Sequence, residues 1–328
     1  TMRLANSGKK VNYSLPRADV PRAVVPVVST TSIAISSVAQ LKAAGNFKRI
    51  EGNLTISGIT ANFDLAKFNL LTRIEGNLII EGNTGAFTLS GKFPLLEVVT
   101  GTISIKNNTK VSTVPIKAKS ANMFPVLLSS SAIVIQNNPL LLNINGFNIL
   151  TSSDILLFNN SGLKFVEGFL QLKASNLLEI YNNINLISLP SFNELDTVSG
   201  TLEIAKNNKL VKTPTFNALI TAMIILIGDN INLNSVIGFN TLKDCKELHI
   251  YSNPQLVTIQ GFNMLADFDN IHIVNNSQEN YDYPINGIDI DRQTTVTITN
   301  SLRLTGFRAL STVNNSFIMY GQYISLAE

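Results

Sequence analysis

Residues 192–214 read FNELDTVSGTLEIAKNNKLVKTP, and this stretch decides the fold. It opens on Phe192-x-x-Leu195, steps through Ser199-Gly200, runs Leu202-x-Ile204 and turns at Asn207-Asn208. The same order of features returns along most of the chain. A fixed period of a few tens of residues is the signature of a stacked array, in which each unit buries its apolar face only against its neighbours.

Working outward, the aromatic pair recurs at Phe47/Ile50, Phe68/Leu71, Phe93/Leu96, Phe124/Leu127, Phe147/Leu150 and Phe169/Leu172. It continues at Phe192/Leu195, Phe216/Leu219, Phe239/Leu242, Phe262/Leu265, Ile285/Ile288 and Phe307/Leu310. Each pair is followed by a φ-x-φ core, from Leu54/Ile56 and Leu78/Ile80 through Leu202/Ile204 to Val296/Ile298 and Phe317/Met319. Period-two alternation of β-branched and polar residues reads as short strands with one buried face. Strands separated by a full repeat do not form hairpins with one another, so they stack in parallel. The predicted fold is therefore a β-rich solenoid, a right-handed single-stack parallel β-helix of leucine-rich-repeat type. It has about 12 coils of ~23 residues with Phe and Asn ladders.

The Asn ladder is read from Asn83, Asn108, Asn138, Asn160, Asn183, Asn230, Asn253 and Asn276, with Asn208 as its member in the opening stretch. Asn tolerates a left-handed turn, and its amide satisfies backbone groups there.

Ile50-Glu51-Gly52-Asn53-Leu54-Thr55-Ile56 and Ile74-Glu75-Gly76-Asn77-Leu78-Ile79-Ile80 carry a family resemblance. With the turn pattern they resemble leucine-rich repeats and, more closely, the receptor L domain of growth-factor-receptor ectodomains and related surface proteins. The resemblance spans about residues 47–320. It implies a β-helix, and a secreted or cell-surface setting with a recognition or adhesion role. Receptor L domains carry capping cysteines and tryptophan, whereas this chain has one cysteine and no tryptophan.

Composition narrows the function classes. Charged residues make up 14% and hydrophobic ones 45%, so a large buried core is available. The net charge of +3 is too small to argue for nucleic acid. A lone Cys245 excludes an internal disulfide framework and a multi-cysteine metal site, and reads as a small buried thiol. The longest uncharged run, residues 120–153, is broken by Pro125 and Pro139, so no membrane span is expected.

Two domains of organisation are predicted. Residues 1–36 form an extended basic N-terminal arm, with Arg3, Lys9, Lys10, Arg17 and Arg22 against Asp19. Residues 37–328 form one solenoid, its start capped by a weakly helical segment over 37–47. Val24, Val25, Val27, Val28, Ile33 and Ile35 make the arm able to add as a strand to a second copy.

No nucleophile elbow, phosphate loop or metal-binding helix is present, so no catalytic residues, metal or cofactors are expected. The variable positions lie on the outward side of each strand. Leu156, Phe158, Glu179, Tyr181, Glu203, Leu226, His249, Tyr251 and His272 are the candidate binding face, an apolar, aromatic and acidic surface of the kind that marks protein contacts. His249 and His272 fall at one position in adjacent coils, which parallel strands set about 4.8 Å apart. They read as a shared metal or pH-sensitive patch beside Glu247, or as solvated rings. Two enlarged coils carry opposite charge, a basic loop at 106–122 and an acidic loop at 275–292 that is either solvated or a calcium site. The expected partner is a protein or glycan held on the strand face. The alternative is a self-assembling structural subunit joined through the arm and the open solenoid ends.

Overall fold

In a computed structural model, each φ-x-φ core becomes a strand, and the strands stack into one 13-stranded sheet. Its members are β1 (Ile33–Ile35), β2 (Leu54–Ser57), β3 (Leu78–Glu81), β4 (Thr102–Lys106), β5 (Ala132–Gln136) and β6 (Asp154–Phe158). They continue as β7 (Ala174–Tyr181), β8 (Thr197–Ala205), β9 (Thr221–Gly228), β10 (Asp244–Tyr251), β11 (Asn270–Val274), β12 (Thr295–Thr299) and β13 (Phe317–Tyr320). Every neighbouring pair is parallel, and the pairing aligns equivalent repeat positions: Leu202 pairs with Leu178 and Ile225, and Val296 with Ile271 and Phe317. The structure describes residues 27–112, 122–259, 261–262, 264–265, 268–274 and 276, with only the backbone of Tyr281–Tyr283, Leu302–Leu304, β12 and β13 beyond them.

The core is a column. Both inward residues of every strand from β2 to β11 are at most 1% exposed. Beside them the repeated phenylalanines stack in two runs, Phe68-Phe93-Phe124-Phe147-Phe169 and Phe192-Phe216-Phe239-Phe262, with centroids 4.9–5.7 Å apart. Such pairs add roughly 0.5–1.5 kcal/mol each beyond the area they bury.

The Asn ladder is continuous. In each rung, the side-chain oxygen of one asparagine accepts from the backbone N–H of the asparagine one coil earlier, at 2.9–3.2 Å from Asn83 to Asn276. Each Nδ2 donates to the carbonyl of an inward strand residue of the preceding coil, as Asn108 does to Ile80. The ladder corrects the sequence reading twice. Its member in the opening stretch is the fully buried Asn207, while Asn208 is half-exposed. The left-handed residue is the one before the rung: Gly82, Asn107, Asn137, Asn159, Asn182, Lys206, Asp229 and Ser252 have φ between 51° and 63°. The ladder side chain is chosen for its hydrogen bonds, and the turn strain falls on its neighbour.

The early coils turn a corner that the later ones lack. Residues Phe47–Ile50, Arg73–Ile74 and Val98–Val99 form strands of a separate four-stranded sheet, divided from β2, β3 and β4 by the Glu-Gly-Asn or Thr-Gly step. A second, shorter Asn stack holds this corner. Asn53 Oδ1 accepts from Asn77 N at 2.7 Å, and Asn77 Oδ1 accepts from Thr102 N at 2.8 Å. A Cβ on Gly76 or Gly101 would overlap those side chains, so the corner demands glycine. In β7–β10 the corner is straightened into continuous strands of eight or nine residues, with register shifts at Ser175/Leu177 and Val198/Thr201.

At the start of the chain, Val27–Ser29 pairs in parallel with Phe47–Ile50, and β1 pairs with β2. Residues assigned from sequence to a separate arm thus build the first coil, and the solenoid includes residues 27–36. Ile35 lies in the core, Ile33 packs against it, and Val27 and Val28 are exposed. Val24 and Val25 lie outside the described residues. Helix α1 (Val38–Ala43) follows, with the Ser37 side chain accepting from Gln40 N at 3.2 Å and Leu41 buried in the core. That is the predicted cap.

Candidate functional site

The outward side of β6–β11 is built by register. Three columns run across the strands. The first holds Leu177, Thr201, Ile224, Glu247 and Asn270; the second, Leu156, Glu179, Glu203, Leu226, His249 and His272; the third, Phe158, Tyr181, Ala205, Gly228, Tyr251 and Val274. All nine candidates chosen from sequence lie in the second and third columns, and all nine are half-buried. They share one sheet surface. Eight residues at ~3.3 Å along the long strands and six strands at ~4.8 Å make it roughly 26 by 24 Å.

The acidic pair lies at its centre. Glu179 and Glu203 are direct cross-strand partners. Neither carboxylate forms a hydrogen bond or an ion pair with a described residue, and like charges in this arrangement repel. Burial pushes both up from the usual carboxylate range. Asp154 raises Glu179 further and Glu179 raises Glu203, while Lys206 draws Glu203 partly back.

Aromatic rings wall the pair on one side. Phe158 and Tyr181 stack at 5.0 Å and 7°. Tyr251 lies over Gly228, where a Cβ would collide with its ring. Ala205, between Tyr181 and Gly228 in the column, is 1% exposed although it sits on the outward side. Burial raises the pKa of both tyrosines, Tyr181 next by Glu203, and Tyr251 next by Asp229 and then Glu203.

The histidines meet as expected, with ring centroids 4.7 Å apart and edge-on at 63°. His249 Nε2 stands 3.2 Å from Glu247 Oε2. Burial, then the neighbouring His249, holds His272 below the usual histidine range. No group of three metal-ligating side chains occurs among the described residues. The acidic loop candidates Glu279, Asp282, Asp289 and Asp291 lie outside what is described, apart from the backbone at 281–283. Cys245 is fully buried in the core, its pKa pushed up to about 12 chiefly by burial, so it is a packing residue.

Sequence reasoning missed three things. Asp154 accepts from the N–H groups of Asn176 and Leu177 at 2.9 and 3.0 Å, which fixes the bulge entering the acidic pair. The small residues Ala205 and Gly228 let Tyr251 lie flat, and a gap in an aromatic column was their only signal. Ile187 and Val211, each nearly half-exposed, line a shallow hollow of about 560 Å³ with Lys209 and Asn232; each follows directly on a buried repeat leucine, Leu186 or Leu210, and carries no signal of its own. Among the described residues no helix is long and apolar enough to cross a membrane.

Compared with known proteins, residues 46–151 match the family model of the receptor L domain. This part of the chain is receptor L-domain-like, and the fold is the solenoid that such a domain adopts. No curated protein and no solved structure matches the chain at a significant level.

Proposed function

We propose that the protein is a non-enzymatic recognition module that binds a protein partner on the outward face of β6–β11, at a cell surface or outside the cell. One observation carries the reading. Coils that keep the inward residues and the Asn ladder of the others bring aromatic, apolar and acidic groups together on their outward side, the acidic pair without a bonded counter-charge among the described residues. Conserving a scaffold while varying one face is how a repeat array builds a binding surface. The receptor L domain match supports a ligand-binding role, and such domains occur in extracellular receptors.

The test is selection of a displayed random-peptide library on the immobilised full chain. Selected peptides should bind Tyr181→Ala, Glu203→Ala and His249→Ala at least tenfold more weakly, with unchanged circular dichroism. Val211→Ala, on the lateral surface, should bind normally. Binding that survives all three face variants and falls with Val211→Ala would discard this face.

A further inference from the structure

The outward face carries a charge problem that the chain itself leaves unsolved. Glu179 and Glu203 face each other across parallel strands, with Asp154 close enough to act on Glu179 and Asp229 close enough to act on Tyr251. Glu247 is engaged by His249, and among the described residues Lys206 is the one cation acting on Glu203. Lys206 is exposed on the turn, where water screens it. The carboxylates are thus half-buried, crowded and without a bonded counter-charge. A sheet surface that needed only solubility would place a Lys or Thr opposite a Glu.

Beside the carboxylates stands a wall suited to one kind of group. Phe158 and Tyr181 are stacked, and Tyr251 lies over Gly228 from the other side, so ring surface flanks Glu203 on both neighbouring coils. Both tyrosines sense the Glu203 charge. Aromatic rings attract a cation, and carboxylates bind it by charge-assisted hydrogen bonds. Leu156 and Leu226 bracket the acidic pair along its column and offer apolar surface to an alkyl stem.

We infer that this face recognises its protein partner through an arginine side chain, whose guanidinium bridges Glu179 and Glu203 while stacking beside Tyr181 and Tyr251. The inference rests on the binding-face reading and names the chemistry the face selects. Arginine fits better than lysine because its planar fork spans two carboxylates and its plane packs on a ring. A bound guanidinium also removes the repulsion within the pair, so binding gains what the free protein loses by holding two carboxylates together.

The full chain, labelled for NMR, is titrated with N-acetyl-arginine-methylamide and with the citrulline compound, its neutral isostere. Arginine should shift resonances of β6–β10 with millimolar affinity, the effect weakening with added salt. Citrulline should bind at least tenfold more weakly, and Glu179→Gln with Glu203→Gln should weaken arginine by a similar factor while leaving the fold intact. Equal response to both compounds, or arginine binding that ignores the double substitution, would overturn the inference. So would calcium chloride shifting the same resonances at lower concentration than arginine, which would make the pair a cation site. Selected peptides that bind the face but tolerate arginine-to-citrulline replacement would sink this inference and leave the face reading standing. Peptides that ignore Tyr181→Ala, Glu203→Ala and His249→Ala would remove both.

Discussion

The coils of β2–β4 and those of β7–β10 share a spine and differ in almost everything else. Both stack phenylalanine on phenylalanine and pass through the same Asn ladder. The early coils turn a glycine corner into short strands of four or five residues, with Thr55, Ile79 and Ser104 in the outward column. The later coils run straight for eight or nine residues and put Glu, Leu and His in that column. The phenylalanine backbone changes on a different boundary. Phe93, Phe124, Phe147 and Phe169, ahead of β4–β7, have φ of 47–62°, a left-handed conformation absent from Phe47 and Phe68 before them and from Phe192, Phe216, Phe239 and Phe262 after them. The two stacking runs part between Phe169 and Phe192.

The family match ends at residue 151, before the first residue of the candidate face. The match describes the cornered coils, whose recurring residues are all structural. The candidate site lies beyond the matched residues, where the chain keeps the spine and widens the sheet. A solenoid permits this because each coil answers only to its neighbours.

If the spine is common to both regions, breaking it should cost the same in either. Asn108→Ala and Asn207→Ala each orphan buried backbone groups, the N–H of the preceding rung and a strand carbonyl. Each should lose about 3 kcal/mol, since a buried unsatisfied group costs ~1–3 kcal/mol. Asn208→Ala should lose under about 0.5 kcal/mol, as surface changes do. Urea unfolding followed by circular dichroism measures all three, and a large gap between Asn108 and Asn207 would mean that the spine is not shared.

Glycine sharpens the contrast. A Cβ on Gly101 meets the Asn77 side chain and the Gly76 backbone, so Gly101→Ala should cost about 1–3 kcal/mol, as overpacking does. On Gly228 the three atoms nearest the Cβ all belong to the Tyr251 ring, a side chain free to rotate toward solvent. Gly228→Ala should leave the thermal midpoint nearly unchanged yet weaken peptide binding, because the ring no longer lies in place. Equal destabilisation by the two substitutions would dissolve the distinction between corner and open face.

The smallest effect has a definite sign. Glu179 and Glu203 have folded pKa values raised above the unfolded carboxylate, so between those values the folded state holds more protons than the unfolded state. Stability from these groups therefore falls as pH rises through the folded pKa, and is fully recovered below the unfolded one. Glu179→Gln with Glu203→Gln should raise stability at pH 7 by about 0.2–1 kcal/mol, the scale of a cross-strand pair. The gain should vanish below about pH 4, where the wild-type carboxylates are protonated. Thermal melts at both pH values read this; a wild type that resists heat better than the double variant at pH 7 would show that the pair is not strained.

Much of this was written in local pattern. The spacing of Phe192, Leu195, Leu202 and Ile204 specified a parallel stack, because only inward residues with that period build a continuous column. The outward column followed from alternation, which is why all nine face residues share one surface. Spacing also marks the rung: Asn207 lies five residues after Leu202, as Asn183 does after Leu178, and it is Asn207 that reaches Asn230 and Ile180, where the sequence reading took Asn208. What pattern could not supply was the pairing of segments that lack the full repeat. Ile33-x-Ile35 is a φ-x-φ core without the Phe-x-x-Leu pair before it, and Val27–Ser29 has no such core, so their place in the first coil came from pairing with Leu54–Ser57 and Phe47–Ile50. Whether Ser199-Gly200 turns a corner, as Gly76-Asn77 does, depended on the coils packed above and below it. The sequence by itself determined the period, the buried column and the outward face. Tertiary structure alone decided the corner and the place of Val27–Ser29 in the first coil, since each is a contact between residues about a full coil apart.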